Sequence, residues 1–466
     1  MNQFIQFVLS RLQGGILLLL LAVPLVAGFI LLAYWICKRK GKTFPWKTMI
    51  LWTLLSGYLL VMFYVTLLRG TSVAFRSWNL HLFRAWREAW NEFSTTSWLN
   101  VLLNVAMFIP LGALLPLFST KLRKWYTTIG IGFALSLTIE LLQLWWGNGV
   151  CDVDDLFANT LGTLIGYAAV MLVITIAKRG KTGRKTIFCY AAAFLIPIGA
   201  ICSIFIAYHL QPYGNIPYMV SFRADTSNTL WTLACTLPQV ESTAMTYRTE
   251  TMSKEACASL ADEFMQKFGI VFEDIQYYDE DAYFMNHGGD DGAHFLIVNY
   301  LDGSYRYSTS SSEEESWMDA DRETILSALA QYPLTIPENA VFSAVGEGWH
   351  SFKADRLLVD QCMYDGTVLC RYGSDGEIYE IENHLIPYVP YSEQKIISPE
   401  EAYRRLCAGH FSGGEYFELK APASIQVTAA ALEYRIDTKG FYRPVYVFDL
   451  VSTDTNYRMP VAVRAD

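Results

Sequence analysis

Acidic side chains are nearly missing from the first 210 residues of this 466-residue chain, which hold six Asp and Glu against 18 Lys and Arg. The whole chain has 36 basic and 45 acidic residues, so 18 and 39 remain for the other part. The formal net charge of −9 therefore averages a basic, apolar half and an acidic one. A water-soluble surface mixes charges of both signs, so an ordinary soluble domain is excluded for the first half. The basic residues sit in short clusters between apolar runs, which is the pattern of membrane flanks and excludes a nucleic-acid partner.

Other scarcities narrow the chemistry. Nine cysteines form no CxxC pair, which removes zinc ribbons and thioredoxin-like sites. Cys37, Cys189 and Cys202 read as apolar fillers. The second half has no nucleophile elbow and no HExxH, and its histidines 287, 294, 350, 384 and 410 are scattered, so no metal and no cofactor is expected. Asp290, Asp291 and Asp302 lack EF-hand spacing and read as turn residues. Cys362 and Cys370 flank a stretch containing Asp365-Gly366, a hairpin turn signal. A disulfide across that hairpin and two free thiols are both open, since pairing depends on Cα distances.

What is abundant is apolar sequence. Six runs, roughly 15–36, 47–68, 98–118, 126–146, 155–177 and 187–208, are each about the 20 residues a membrane-spanning helix needs. Lys38, Arg39, Lys40 and Lys42 follow the first run as a stop-transfer flank, without a cleavage site, so it reads as a helix and not as a signal peptide. Loops after the first, third and fifth runs are basic. These loops are predicted to be cytoplasmic, placing the N-terminus, the loops 69–97 and 147–154, and everything after Leu210 outside. Arg69, Arg76, Arg84 and Arg87 in the 69–97 loop go against the rule, but the reverse orientation would misplace three basic loops.

Polar residues then gather at one depth. Ser136, Glu140 and Gln143 share a face of the fourth helix. Asp152, Asp154 and Asp155 follow in the next loop, with Asn159 four residues into the fifth helix. Asn100 and Asn104 open the third helix from the same side, and Arg69 and Arg76 are candidate partners. An ionised carboxylate at membrane depth costs at least about 2.5–3.5 kcal/mol, so a functional site is the default reading for Glu140. The competing reading makes the amides interhelical glue and the aspartates a solvated helix start. Gly162 and Gly166 are expected to permit close helix packing. Pro110 and Gly112 are expected to kink the third helix, and Trp145 and Trp146 to lie in an interfacial belt.

These residues, in this order, resemble the VanZ family over about residues 50–177. Leu99-Asn100-Val101-Leu102-Leu103-Asn104 leading into Phe108-Ile109-Pro110-Leu111-Gly112 is similar to its spaced asparagines before Phe-x-Pro-Leu-Gly. Ile139-Glu140-Leu141-Leu142-Gln143 resembles its I-E-x-x-Q motif, and Asp152-Val153-Asp154-Asp155 through Asn159-Thr160-Leu161-Gly162 its D-x-D-D-x-x-x-N-T-x-G motif. Arg69 and Asn79-Leu80 match its loop pattern. The chain departs from the family in having His81-Leu82-Phe83 after Asn79-Leu80, and Gly149-Val150-Cys151 where an Arg is frequent. The resemblance implies an envelope membrane protein of a family named for lowering susceptibility to the glycopeptide teicoplanin.

From about Gln211 the composition is mixed and rich in Tyr. Val341–Asp360, Ile378–Tyr388 and Leu432–Val451 read as strands. Ser253–Phe268 and Ser398–Cys407 read as helices, each opened by a capping Ser. Both helices lead into tyrosine-rich strands, a loose repeat that faintly resembles PepSY-type or YycI-like extracytoplasmic domains.

The fold class expected is thus a membrane all-α bundle of about six helices followed by a soluble extracytoplasmic α+β domain. Residues 1–45 would form the first helix and a basic loop, 46–185 the VanZ-like region, 186–210 the last helix, and 211–466 the outer domain. The leading functional expectation is a non-catalytic envelope protein in contact with membrane lipid. Its ligand pocket would comprise Arg69, Arg76, Asn79, Asn104, Glu140, Gln143, Asp152, Asp154, Asp155 and Asn159. The pocket would take a lipid-linked wall precursor or a lipophilic glycopeptide, and the outer domain a protein partner. One alternative is an intramembrane enzyme, with Glu140 and Asp155 as acid and base and Asp152 or Asp154 holding a divalent cation. The other is a sensor merely anchored by its helices.

Overall fold

The computed structural model describes residues 45–68, 78–146, 151–177, 183–217, 224–249, 253–289, 292–310, 316–412, 423–453 and 457–466, with scattered positions between 24 and 39. The first apolar run, Arg69, Arg76 and Cys37 lie outside the described residues or among those scattered positions. The chain divides into two compact units, residues 1–89 with 97–211, and residues 90–96 with 212–466.

Among the described residues of the first unit, five helices are long and apolar enough to cross a membrane: Trp46–Thr66, Thr95–Phe118, Trp125–Trp146, Val153–Ala177 and Arg184–Leu210. We label the α-helices α1 (Trp46–Phe63), α2 (the short Arg84–Glu92), α3 (Thr95–Phe118), α4 (Trp125–Trp146), α5 (Val153–Ala177) and α6 (Arg184–Leu210). α1 passes into one turn of π-helix at Tyr64–Leu68. The 69–97 loop of the sequence reading thus holds an extra helix, α2, and a short strand.

Glycine sets the spacing of the bundle. A Cβ on Gly162 or Gly166 would run into the backbone carbonyls of Val105 and Ile109, and one on Gly112 into that of Thr163. α3 and α5 therefore touch backbone to backbone, which only the smallest side chain permits. α3 runs unbroken through Pro110 and Pro116. Near Pro110, which lacks a backbone donor, the Tyr58 hydroxyl donates to the Met107 carbonyl at 2.8 Å.

Among the described residues, the second unit is a 14-stranded sheet carrying three helices. Its outer strands run in the order β3 (Thr229–Leu233), β14 (Ala423–Ile436), β15 (Phe441–Ser452), β4 (Ser242–Arg248) and β13 (Ile386–Ile396). The path continues through β11 (Cys362–Tyr372), β12 (Ile378–Asn383), β8 (Tyr305–Ser310), β7 (Gly292–Asn299), β6 (Asp281–Gly289) and β5 (Asp274–Tyr278). β9 (Val341–Gly346) and β10 (Trp349–Val359) extend from β11, and β16 (Arg458–Arg464) from β15. β3 runs parallel to β14, and the other pairs are antiparallel.

The two largest cores of this unit lie along the sheet. α7 (Lys254–Phe268) and α8 (Arg322–Leu329) cover the first with Cys257, Ala261, Phe264, Ile325 and Leu329. α9 (Pro399–Cys407) covers the second with Ala402 and Leu406. Ser253 and Ser398 cap α7 and α9, accepting the backbone N–H of Ala256 and Glu401. The turn between β5 and β6 crowds acids: burial, and then Asp279 and Asp281, push the Glu280 carboxyl up to about 7.

Each stretch that reads as strand holds parts of two, a hairpin in the first and third, whereas β12 and β13 of the second both pair with β11. Val341–Asp360 is β9 and β10, Ile378–Tyr388 spans β12 and enters β13, and Leu432–Val451 covers parts of β14 and β15. The hairpin read at Asp365-Gly366, which left a disulfide and two free thiols both open, is also corrected. Asp365-Gly366 lies inside β11, and the turn falls at Asp360-Gln361, between the paired Val359 and Cys362. Cys362 and Cys370 sit on one strand, roughly 26 Å apart at about 3.3 Å per residue. A disulfide needs Cα atoms within about 7 Å, and both thiols are free.

Candidate functional site

Two short strands organise one end of the helical unit. β1 (Trp78–Asn79) pairs in parallel with β2 (Cys151–Asp152), matching Trp78 to Cys151 and Asn79 to Asp152. This ladder brings the 78–83 stretch against the start of α5, where the aspartates cluster.

Asp152 is the hub. Its Oδ1 accepts the backbone N–H of Asp154 at 2.8 Å, so it caps α5. Its Oδ2 accepts Asn79 Nδ2 at 3.0 Å, and its own N–H donates to Glu140 Oε2 at 2.9 Å. Glu140 projects from α4 and is only 3 % exposed. A buried carboxylate thus gains a backbone donor from the next loop, and α4 is tied to α5 through the mini-sheet.

Asp154 has a different job. It accepts the N–H of Phe83 on Oδ1 and that of Ala85 on Oδ2, the latter at 2.7 Å. These are unpaired donors at the start of α2, so Asp154 caps that helix from across the fold. Both of its oxygens are committed to architecture. Asp155 faces α3, where Asn104 Nδ2 donates to its Oδ1. Glu140 and Asp155 are near enough to repel one another.

One turn below this layer Asn159 Nδ2 donates to Ser136 Oγ at 2.9 Å, four residues beyond Asp155 and four before Glu140 in sequence. Asn159 is also 3 % exposed, and its Oδ1 has no partner among the described residues. Gln143 reaches sideways instead, Nε2 donating to the Thr66 carbonyl at 3.0 Å. Thr66 lies in the π-turn at the end of α1, where terminal carbonyls lack helical partners.

The rim is apolar. Trp78, Leu80, Leu82 and Phe83 from the β1 side and Trp145 and Trp146 from the end of α4 are exposed, Trp145 by 71 %. Carboxylates backed by amides and ringed with exposed apolar side chains suit the headgroup of an amphiphile at a membrane interface.

Of the residues predicted for the site, the structure joins Asn79, Glu140, Asp152 and Asp154 in one hydrogen-bond network, with the Asn104–Asp155 pair beside it. Asn159 lies in the layer beneath, and Gln143 ties α4 to α1. Arg69 and Arg76 lie outside the described residues. Sequence reading missed Ser136 as Asn159's partner and α2 as Asp154's, because both pairings join distant segments.

Residues 55–175 match the family model described as VanZ/LLP1. No curated protein matches the chain. Among solved structures, the Bacillus megaterium YpeB C-terminal domain is similar at 12 % identity, over 46 % of this chain and 94 % of that chain, with a TM-score of 0.15. At that score the likeness carries no structural argument.

Proposed function

We propose that this chain, a membrane protein whose residues 55–175 are of the VanZ/LLP1 family, binds the headgroup of an envelope amphiphile at the Glu140–Asp152–Asp155 cluster. The ligand is a lipid-linked wall precursor or a lipophilic glycopeptide such as teicoplanin. In this reading the cluster lies in the outer leaflet, the N-terminus and the β-rich unit face outward, and that unit meets a protein partner.

The observation that carries the reading is Glu140. It is buried on a helix long and apolar enough to span a membrane, yet it is held by the Asp152 N–H in a network that ends at an exposed apolar rim. A carboxylate kept at such depth is costly unless it meets a partner or a wet cavity. The neighbouring amides already serve specific acceptors, which supports a preformed site.

The test is susceptibility of a sensitive Gram-positive host expressing the protein, scored against teicoplanin and vancomycin side by side. Wild type is compared with Glu140→Gln and Asp155→Asn at equal membrane abundance. A selective rise in teicoplanin tolerance that both variants lose supports the glycopeptide form of the reading. No shift in any strain removes it, leaving the wall precursor to be tested by direct binding.

A further inference from the structure

Acceptors outnumber donors in the site. Four carboxylates stand together, and no Lys, Arg or His side chain among the described residues forms an ion pair with any of them. Arg84, on the helix that Asp154 caps, pairs with Glu88 at 2.8 Å. The amides donate to Asp152, to Asp155, to the Thr66 carbonyl and to Ser136. What is left over is acceptor capacity on the Glu140 and Asp155 carboxyls and, one turn beneath, the buried Asn159 Oδ1 with no partner among the described residues.

The geometry points to a primary ammonium group on an amphiphile as the ligand's headgroup, received by Glu140 and Asp155 and supported by the unpartnered amide oxygen of Asn159. This rests on the amphiphile-binding reading above and names the chemistry it requires. An ammonium offers three donors and no acceptor, which complements a site whose spare capacity is all acceptor. Its compact charge offsets the repulsion between two carboxylates at membrane depth. The exposed Trp78, Leu80, Trp145 and Trp146 would lie along the apolar part of the same molecule.

Two sources carry such a group: an aminophospholipid of the bilayer and the amine of a glycopeptide. The test uses full-length protein purified in detergent, with bound ligand counted by native mass spectrometry. Phosphatidylethanolamine is compared with its N-acetyl derivative, and teicoplanin with N-acetylated teicoplanin. The expected result is that the amine form of one pair binds about tenfold more tightly than its acetylated form, a tenfold step being a modest difference in binding free energy. Glu140→Gln and Asp155→Asn should both erase that preference, and Asp279→Asn in the second unit should keep it.

Glu140→Gln retains an oxygen for the Asp152 N–H, and Asp155→Asn serves as the second variant should Glu140→Gln not fold. The pair that shows the preference identifies the source. Equal, Glu140-dependent binding of amine and acetylated forms overturns the ammonium assignment while leaving the amphiphile reading intact. Binding of neither form in a Glu140-dependent way overturns both.

Discussion

Glu140 accepts the backbone N–H of Asp152 at 2.9 Å, a bond that joins the last turns of one apolar helix to the two-stranded ladder preceding the next. Replacement by Gln should preserve this bond and leave the melting temperature near wild type while abolishing ligand binding. Replacement by Leu should leave a buried N–H unpaired, at a cost of about 1–3 kcal/mol. Thermal melts of the two variants in one detergent, set beside binding, would separate the two roles. Equal melting of both variants would show that the bond contributes nothing to stability.

The α3–α5 crossing should be intolerant of any added carbon. Gly162→Ala and Gly166→Ala push a methyl group into the carbonyls of Val105 and Ile109, and overpacking of this kind costs about 1–3 kcal/mol. Gly130→Ala and Gly199→Ala, where nothing lies within 4 Å, should be neutral or slightly stabilising through helix propensity. Monodispersity and melting after solubilisation would register the contrast.

Thiol labelling should distinguish Cys362 from Cys370. Both are free, Cys370 is fully buried, and burial pushes its thiol up to about 12. Cys362, half-buried at the start of β11, should alkylate in the folded protein, and Cys370 only after denaturation. A peptide linking the two under non-reducing conditions would contradict their placement on one strand.

The β5–β6 turn gives the second unit a pH dependence. Burial and its acidic neighbours push the Glu280 carboxyl from its ordinary value of 4.5 up to about 7 in the folded protein, so the folded state holds the extra proton between those values. Stability is therefore fully present below 4.5 and falls as pH rises through 7. Glu280 is partly solvated, so screening reduces the effect. The melting transition of the second unit should drop over that interval, and Glu280→Gln should flatten the drop. An unchanged slope in Glu280→Gln would show that another group sets it.

The sequence made the helical unit legible because apolar runs and motif carboxylates are local signals. Asn104, Glu140 and Asp155 could be placed at one depth by counting residues along helices. Ser253 and Ser398 announced α7 and α9 for the same reason, since a cap acts within three residues. Long-range pairings were hidden. Nothing near Asn79 names Asp152 as its strand partner, and nothing near Asp154 names the start of α2. The β10–β11 turn was hidden for a chemical reason. It needs positive φ at two successive residues, here Asp360 at 48° and Gln361 at 70°, and neither is the glycine such turns favour. The Asp365-Gly366 signal was misleading because Gly366 serves a close approach to the His384 carbonyl within the sheet.

The parallel pairing of Asn79 with Asp152 also sets an order of events during synthesis. Parallel strands demand a long connection, and here it consists of α2, α3 and α4. The ribosome must deliver the whole of α4 and the start of α5 before the earlier strand has anything to pair with. Until then Asn79 awaits a partner 73 residues downstream, and α2 lacks the carboxylate that caps it. A nascent chain arrested before residue 152 would carry three of these membrane helices and no binding site, so the site is completed only once α5 enters the bilayer.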